Sequence, residues 1–142
     1  MTKSLTLGTF EDSDMEAVIS LWQKTGLTQP RNDPEIDIRF AMAGPSSTVL
    51  VGRAGIILVG SVMVGHDGHR GTVYYLAIDP DHRKSGFGAK MLAGAEAWLR
   101  ARGVWKLNLV IRAENRDVRE FYLKCGYSEE NRILMARRIT KA

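Results

Sequence analysis

The segment YLAIDPDHRKSGFGAKML, residues 75–92, is the most informative part of this sequence for the fold. An apolar run ends at Asp79-Pro80, and from Gly86 onward apolar residues recur at helical spacing. The pattern predicts a strand, a short polar loop and a long helix. Gly86 and Gly88 lack a Cβ, so the backbone there can approach a ligand closely.

The loop between this strand and this helix has the features of a phosphate site. N–H groups in the first turn of a helix lack partners within the helix, and the helix dipole favours an anion there. Arg83 and Lys84 add positive charge. The segment lacks the G-x-x-x-x-G-K-[ST] pattern of a triphosphate loop and the G-x-G-x-x-G pattern of a Rossmann fold. Taken alone, two glycines at such a turn are equally compatible with a purely structural role.

A second motif lies further along the chain, with Asn115 followed by FYLKCGY at residues 121–127. The two motifs together resemble the signature of the GNAT superfamily, the acetyl-CoA-dependent N-acetyltransferases. In that family a strand and an Asp-Pro-like turn lead into [Q/R]-x-x-G-x-[G/A], which is matched by residues 83–88. An Asn and then F-Y-x-x-x-G-[F/Y] follow the next strand. The resemblance covers essentially the whole chain and implies one GNAT-type domain over residues 1–142.

The other elements predicted from periodicity agree with that fold. Strand candidates are residues 4–10, 48–54, 56–65, 72–80, 105–112 and 132–139, with a further short strand near residue 127 left open. Of the four predicted helices, the second opens at Asp33-Pro34 and is expected to bury Ile36 and Phe40. We expect an α/β (α+β mixed) domain, with a central mixed, mostly antiparallel sheet of six to seven strands and helices on both faces, the GNAT-like acyl-CoA N-acyltransferase fold.

The resemblance implies a role for each matched residue. Backbone groups of Leu76, Ala77 and Ile78 would pair with the pantetheine arm of acetyl-CoA, as if it were an added strand. The pyrophosphate would be held by Arg83, Lys84, Ser85, Gly86, Phe87, Gly88 and Ala89. Asn115 would hydrogen-bond the arm, and Tyr122 would supply a proton to the departing thiolate. Both residues have an alternative role, since Asn115 can cap the next helix and Tyr122 can simply pack.

The chemistry implied by the family is direct transfer to a primary amine through a ternary complex. A free alkylamine has a pKa of about 10.4 and must lose a proton before it attacks. In family members that acetylate the N-termini of ribosomal proteins, a glutamate on the strand before the Asn is the base, and Val110 stands there in this chain. The strand of residues 72–78 has no carboxylate either. The alternative is a catalytically weak CoA-binding sensor or interaction module with the same fold.

A third motif, GHDGHRG at residues 65–71, holds two of the three histidines. A metal site would need three or four ligands, and GNAT transfer needs no metal, so we expect none. One interpretation is a glycine-rich turn closed by the Asp67 side chain. In the other, Asn32, Asp67 and His69 contact the acceptor, because this loop and NDPE at residues 32–35 resemble the small bacterial YpeA-type subgroup. There His69, or Asp67 through water, would orient or deprotonate the amine.

Composition narrows the partners. The formal charge of +4 is scattered rather than clustered, which does not favour nucleic-acid binding. The only cysteine, Cys125, excludes an intrachain disulfide. The longest apolar stretch, residues 56–64, is too short to span a bilayer, and no signal-peptide core is present. We therefore expect a cytoplasmic protein with no membrane partner, and the family resemblance also allows a homodimer.

Overall fold

The computed structural model describes residues 4–140 and divides into two units, Met1–Leu109 and Val110–Ala142. The first unit contains one sheet and three α-helices, and the second contains one α-helix. Within residues 4–140, no helix combines the length and the apolar character needed to cross a bilayer.

The sheet of the first unit has four strands in sequence order. They are β1 (Thr6–Thr9), β2 (Ser47–Ala54), β3 (Ile57–His66) and β4 (Gly71–Ile78), and each pairs antiparallel with the next. Gly55, with φ +64°, makes the tight turn between β2 and β3. Strand β4 therefore lies at one edge of the sheet, and the chain continues from it into α3.

Two of the four α-helices in residues 4–140, the second and the fourth, begin at a residue whose side chain caps the first turn. The four helices are α1 (Met15–Lys24), α2 (Pro34–Met42), α3 (Phe87–Ala101) and, in the second unit, α4 (Arg116–Lys124). The Asp33 side chain accepts a hydrogen bond from the Glu35 N–H at 2.9 Å, and Pro34 occupies the first helical position. The predicted start of α2 is confirmed.

Helices cover both faces of the sheet, as predicted. On one face α1 and α2 pack on alternate residues of the strands, where Trp22, Val49 and Val51 form part of the core. On the other face α3 lies very close to the strands, because glycines replace side chains there. A Cβ added to Gly71 would lie 2.4 Å from a methyl group of Leu99.

The prediction of six to seven strands is wrong for the part of the chain described, which has four. Residues 105–112 contribute one isolated parallel bridge, between Leu107 and Gly71, and residues 132–139 contain no strand. The apolar side chains of that last segment are exposed. Alternating hydrophobicity indicates a strand only where a neighbour takes its hydrogen bonds and covers one face. The sheet itself is antiparallel rather than mixed.

The predicted buried face of α2 is also wrong. Ile36 and Phe40 are 65% and 84% exposed, whereas Ile38 and Ala41 are buried. A helix of nine residues that carries apolar side chains on two sides has two candidate faces, and packing on the sheet selects between them. With Ile38 and Ala41 facing the sheet, Asp37 reaches Tyr75 of β4.

Candidate active site

Strand β4 carries a bulge at Tyr75-Leu76. Met63 of β3 pairs with Tyr74 and Ser61 pairs with Ala77, so one extra residue of β4 lies between these pairs. Tyr75 has φ +54°, in the left-handed region that a bulky residue rarely adopts. Such a conformation costs about 1–3 kcal/mol and persists only where the surroundings impose it, typically at functional sites.

Two buried side chains hold the bulge. The Trp22 ring stacks on the Tyr75 ring with centroids 3.8 Å apart and planes 7° apart. The Trp22 Nε1–H donates to Ser61 Oγ at 2.8 Å, and the Ser61 hydroxyl donates to the Tyr75 carbonyl at 2.9 Å. Trp22 and Ser61 are fully buried. The backbone carbonyl that the bulge removes from the strand ladder is thereby satisfied.

The Tyr75 hydroxyl reaches a carboxylate on α2. It donates to Asp37 Oδ2 at 2.7 Å, and the Asn32 side chain interacts with the same hydroxyl. Burial, followed by the bond to Asp37, raises the pKa of Tyr75 to about 12. The hydroxyl therefore stays protonated and acts as a fixed donor to the carboxylate at neutral pH.

The outer edge of β4 is open beyond its first residue. At Gly71 the N–H donates to the Lys106 carbonyl and the carbonyl accepts from the Asn108 N–H, both at 2.9 Å. No further strand pairing on this side is found within residues 4–109. The chain that follows α3 thus meets β4 at one point, and within residues 4–109 no strand pairs with this edge of β4 at Leu76, Ala77 and Ile78. The Ile78 carbonyl accepts a hydrogen bond from Arg83 Nε at 3.4 Å.

Asp79 anchors the loop that leaves β4, residues 79–86, which we call the glycine loop. Asp79 is only 8% exposed, and its Oδ1 accepts from the Asp81 N–H at 3.0 Å while its Oδ2 pairs with Lys24 Nζ at 2.9 Å. The Asp81 N–H, and then Lys24, hold the pKa of Asp79 below its usual value. The entrance to the glycine loop is therefore tied to α1 of the opposite layer.

The glycine loop leads into α3, whose first turn has no side-chain cap. Gly86 is the N-cap of α3, with φ +77°. Phe87 is buried and anchors that turn, whereas Lys84, Ser85 and Ala89 are exposed. Apart from its chain neighbours, no atom lies within 4 Å of the position that a Cβ on Gly86 would take, so the loop is open on that side. This arrangement fits a bound anion.

The loop of residues 65–71 is satisfied by its own atoms. Asp67 Oδ1 accepts from the N–H groups of His69 and Arg70, both at 2.8 Å, and the Gly68 N–H donates to His66 Nδ1 at 3.0 Å. The two N–H groups, Arg70 first, hold the pKa of Asp67 below its usual value. The predicted Asx-type turn is present. The loop precedes β4, so the structure places Asp67 and His69 at the end of β4 opposite to the glycine loop.

The predicted acceptor residues are thus not brought together by a common contact. The Asn32 side chain interacts with the hydroxyl of Tyr75, a residue of β4. The hydrogen bonds of Asp67 are made to residues of its own loop. Among residues 4–140, no three or more His, Cys, Asp or Glu side chains are grouped so that they could hold a metal ion.

In the second unit, Asn115 immediately precedes α4 and Tyr122 lies within it. Asn115 is the N-cap and accepts from the Val118 N–H at 3.3 Å, so its capping role is confirmed. Tyr122 is buried and makes edge-on ring contacts with Phe121 and Tyr127, with centroids 5.1 and 5.5 Å away. Burial, with a smaller effect of Cys125, raises the pKa of Tyr122 to about 12.

Sequence reasoning missed Asp37 and Tyr75. The carboxylates expected near the reacting groups were on strands, whereas Asp37 is on a helix and lies 38 residues before Tyr75, its hydrogen-bond partner. A signal was nevertheless present, because Asp37 follows the Asn32–Glu35 motif by two residues. With α2 packed as the structure shows, Asn32 of this motif and Asp37 both interact with the Tyr75 hydroxyl.

Comparison with known proteins agrees with this architecture. The family model described as "Acetyltransferase (GNAT) family" matches residues 10–127. An acetyltransferase of Yersinia enterocolitica is 41% identical over 130 residues, which are 92% of each chain.

Two solved structures share the fold. One is the aminoglycoside N-acetyltransferase AAC(6')-Iy in complex with CoA, with a TM-score of 0.82, 13% identity, and coverage of 99% of this chain and 98% of that one. The other is the glucosamine-6-phosphate N-acetyltransferase of Arabidopsis thaliana, with a TM-score of 0.71, 19% identity, and coverage of 97% and 100%. The prediction of an acetyltransferase is confirmed by the family match, and the chain belongs to the GNAT acetyltransferase family.

Proposed function

We propose that the protein transfers an acetyl group from acetyl-CoA directly to a primary amine within a ternary complex. The observation that supports this most is the open edge of β4, which leads from the Tyr75 bulge to the uncapped start of α3. An extended arm with an anionic end matches both parts, because the arm can add to the strand edge and the anion can accept from the helix N–H groups.

The co-substrate would be held mainly by backbone groups. Leu76, Ala77 and Ile78 offer the strand edge to the pantetheine arm. The pyrophosphate would accept hydrogen bonds from the loop and the first turn of α3, over residues 83–89, with the Arg83 and Lys84 side chains nearby. Asn115, which caps α4, is proposed to bind the arm through its remaining amide hydrogens.

The two units are proposed to act as one acetyltransferase domain over residues 1–142. The support for this is that the family match runs across the boundary at Leu109, from residue 10 to residue 127. The homodimer, the cytoplasmic location and the YpeA-type subgroup stay predictions from the sequence.

The reaction joins the amine nitrogen to the carbonyl carbon of the thioester and breaks the carbon–sulfur bond. The amine gives up one proton, and the thiolate that leaves takes one. A backbone N–H at Ala77 or Ile78 is proposed to stabilise the oxyanion. Tyr122 is proposed to give the departing thiolate a proton or a hydrogen bond. Its pKa is raised to about 12 by burial, so the hydroxyl is protonated and can donate at neutral pH.

An amine-panel assay tests this function. Acetyl-CoA is offered with lysine peptides, free N-terminal peptides, polyamines and aminoglycosides, while free CoA thiol is recorded and the acetylated product is identified by mass. We expect thiol release that depends on the amine. Binding of acetyl-CoA by calorimetry without release across the panel would instead support the CoA-binding sensor.

Tyr122→Phe refines the test. Removal of the proton donor should lower kcat about 100-fold while the dissociation constant of acetyl-CoA stays within about twofold. Because Phe keeps the ring, the edge-on contacts of Tyr122 remain. An unchanged kcat would limit Tyr122 to packing.

A further inference from the structure

Asp37 is a carboxylate that forms no ion pair within residues 4–140. Several other carboxylates around the sheet do face a lysine or arginine, in the pairs Asp14–Arg53, Glu35–Arg39 and Asp79–Lys24. Within residues 4–140, the hydrogen bond that Asp37 makes through its side chain is to the neutral Tyr75 hydroxyl, on Oδ2, and it forms no ion pair. Its Oδ1 therefore keeps lone pairs available to a cation.

Both members of this pair are accessible. Asp37 and Tyr75 are half-buried, whereas Trp22 and Ser61 behind them are fully buried. The Tyr75 ring is already held by the stacked Trp22, and its carbonyl by Ser61. The bond from the hydroxyl to Asp37 is thus not needed to hold the ring, and it instead sets the orientation of the carboxylate.

The position of the pair along β4 points to the reacting end of the co-substrate. An arm that starts at the glycine loop and pairs with Ile78, Ala77 and Leu76 in turn ends beside Tyr75. Each residue advances the strand by about 3.3 Å, so the next position is within reach of a group bonded to the acyl carbon. This step rests on the proposed function.

We propose that Asp37, positioned by the Tyr75 hydroxyl and Asn32, binds the ammonium group of the acceptor. The acceptor class is then an amine that is cationic at neutral pH, with no anionic group next to the reacting nitrogen. A carboxylate stabilises the charged form of an amine, so Asp37 acts in binding, and the proton lost before attack leaves by another route. Tyr75 and Asn32 are positioning residues.

The test compares Asp37→Asn with Glu35→Gln. Both changes remove one negative charge from the same helix, but Glu35 is exposed and paired with Arg39. Asn keeps an oxygen that accepts from Tyr75, so the fold should survive. Using the best amine of the panel, we expect Asp37→Asn to raise the amine KM about tenfold or more, since hydrogen bonds to charged groups have that strength. The acetyl-CoA KM and both constants of Glu35→Gln should stay within about twofold.

A second readout separates recognition of charge from a structural role. The wild type should prefer a cationic amine over one that is uncharged at the assay pH, and Asp37→Asn should lose about tenfold of this preference. Asp37→Glu should restore part of it. Tyr75→Phe keeps the stack on Trp22 and should raise the amine KM about threefold, because the carboxylate is less well oriented.

The outcomes distinguish this inference from the proposed function. If the wild type transfers acetyl but Asp37→Asn matches Glu35→Gln in amine KM and in amine preference, Asp37 is not the acceptor site and the proposed function stands. If the wild type releases no thiol with any amine, the proposed function fails and the inference falls with it. Should Asp37→Asn not fold, unchanged amine KM and preference in Tyr75→Phe would overturn the assignment.

Discussion

The two loops at the ends of β4 have similar composition and opposite use of their N–H groups. Both contain glycine, histidine, arginine and aspartate. In residues 65–71, Asp67 accepts the N–H groups of His69 and Arg70, so the loop is satisfied internally. In the glycine loop, Asp79 fixes only the entrance, and the first turn of α3 has no side-chain cap. A polar loop that leaves its N–H groups uncommitted is the better candidate for an anion site.

Among the tests that compare the two loops, the largest effect is expected for Gly86→Ala, with Gly103→Ala as its control. These glycines lie at opposite ends of α3, have φ +77° and +82°, and have open space where a Cβ would be. An alanine in the left-handed region costs about 1 kcal/mol in each case, so both variants should lose similar thermal stability.

Acetyl-CoA affinity should separate the two variants. Only the Cβ at position 86 lies where the proposed pyrophosphate approaches, so Gly86→Ala should weaken binding about tenfold, which corresponds to about 1.4 kcal/mol. Calorimetry measures both dissociation constants. Equal affinities in the two variants would show that the glycine loop is no more a ligand site than the helix end.

In the loop of residues 65–71, substitution of Asp67 should affect stability but not acetyl-CoA binding. Asp67→Ala removes the acceptor of two N–H groups and should lower Tm by a few degrees, whereas Asp67→Asn keeps that acceptor and should not. Neither should change acetyl-CoA affinity or the rate of transfer. A slower transfer in Asp67→Asn, or in His69→Gln, would support the acceptor role that the sequence allows and would break the contrast between the loops.

The smallest effect concerns the anchor of the glycine loop at acid pH. The folded chain holds the pKa of Asp79 below its usual value of about 3.9, so its contribution to stability is complete above that pH and is lost as the pH falls through the lowered pKa. Asp79→Asn keeps an oxygen for the Asp81 N–H but removes the charge that faces Lys24.

We expect the Tm of the wild type to exceed that of Asp79→Asn by a few degrees at pH 7, and the difference to shrink below about pH 4. Thermal unfolding followed by circular dichroism between pH 7 and pH 2 measures it. A difference that does not depend on pH would mean that the charge of Asp79 does not anchor the loop.

Much of the first unit was predictable because its signals are local. The helical spacing from Gly86 predicted α3 with a buried face of Phe87, Met91, Leu92, Ala95, Trp98 and Leu99. The structure buries all of these except Trp98, which is half-buried. The cap at Asp33-Pro34 predicted the start of α2. Such features depend on residues within a turn or two of each other, so a short segment contains the whole cause.

The strand prediction failed where the cause is not local. Residues 105–112 and 132–139 have strand-like composition, but within residues 4–140 they gain no ladder beyond the bridge at Gly71. Hydrogen bonds between strands require a second segment with a free edge, and no property of the segment itself shows whether that edge is available.

The amino-acid sequence established the family through two motifs, and it located the glycine loop through Gly86 and Gly88. Tertiary packing decided the features on which the proposed acceptor site rests. It selected the face of α2 that buries Ile38, introduced the bulge at Tyr75, and joined that residue to Asp37 across 38 positions of the chain. Contacts at that separation depend on how the layers pack together, because neither the hydroxyl nor the carboxylate belongs to a pattern that a short segment can reveal.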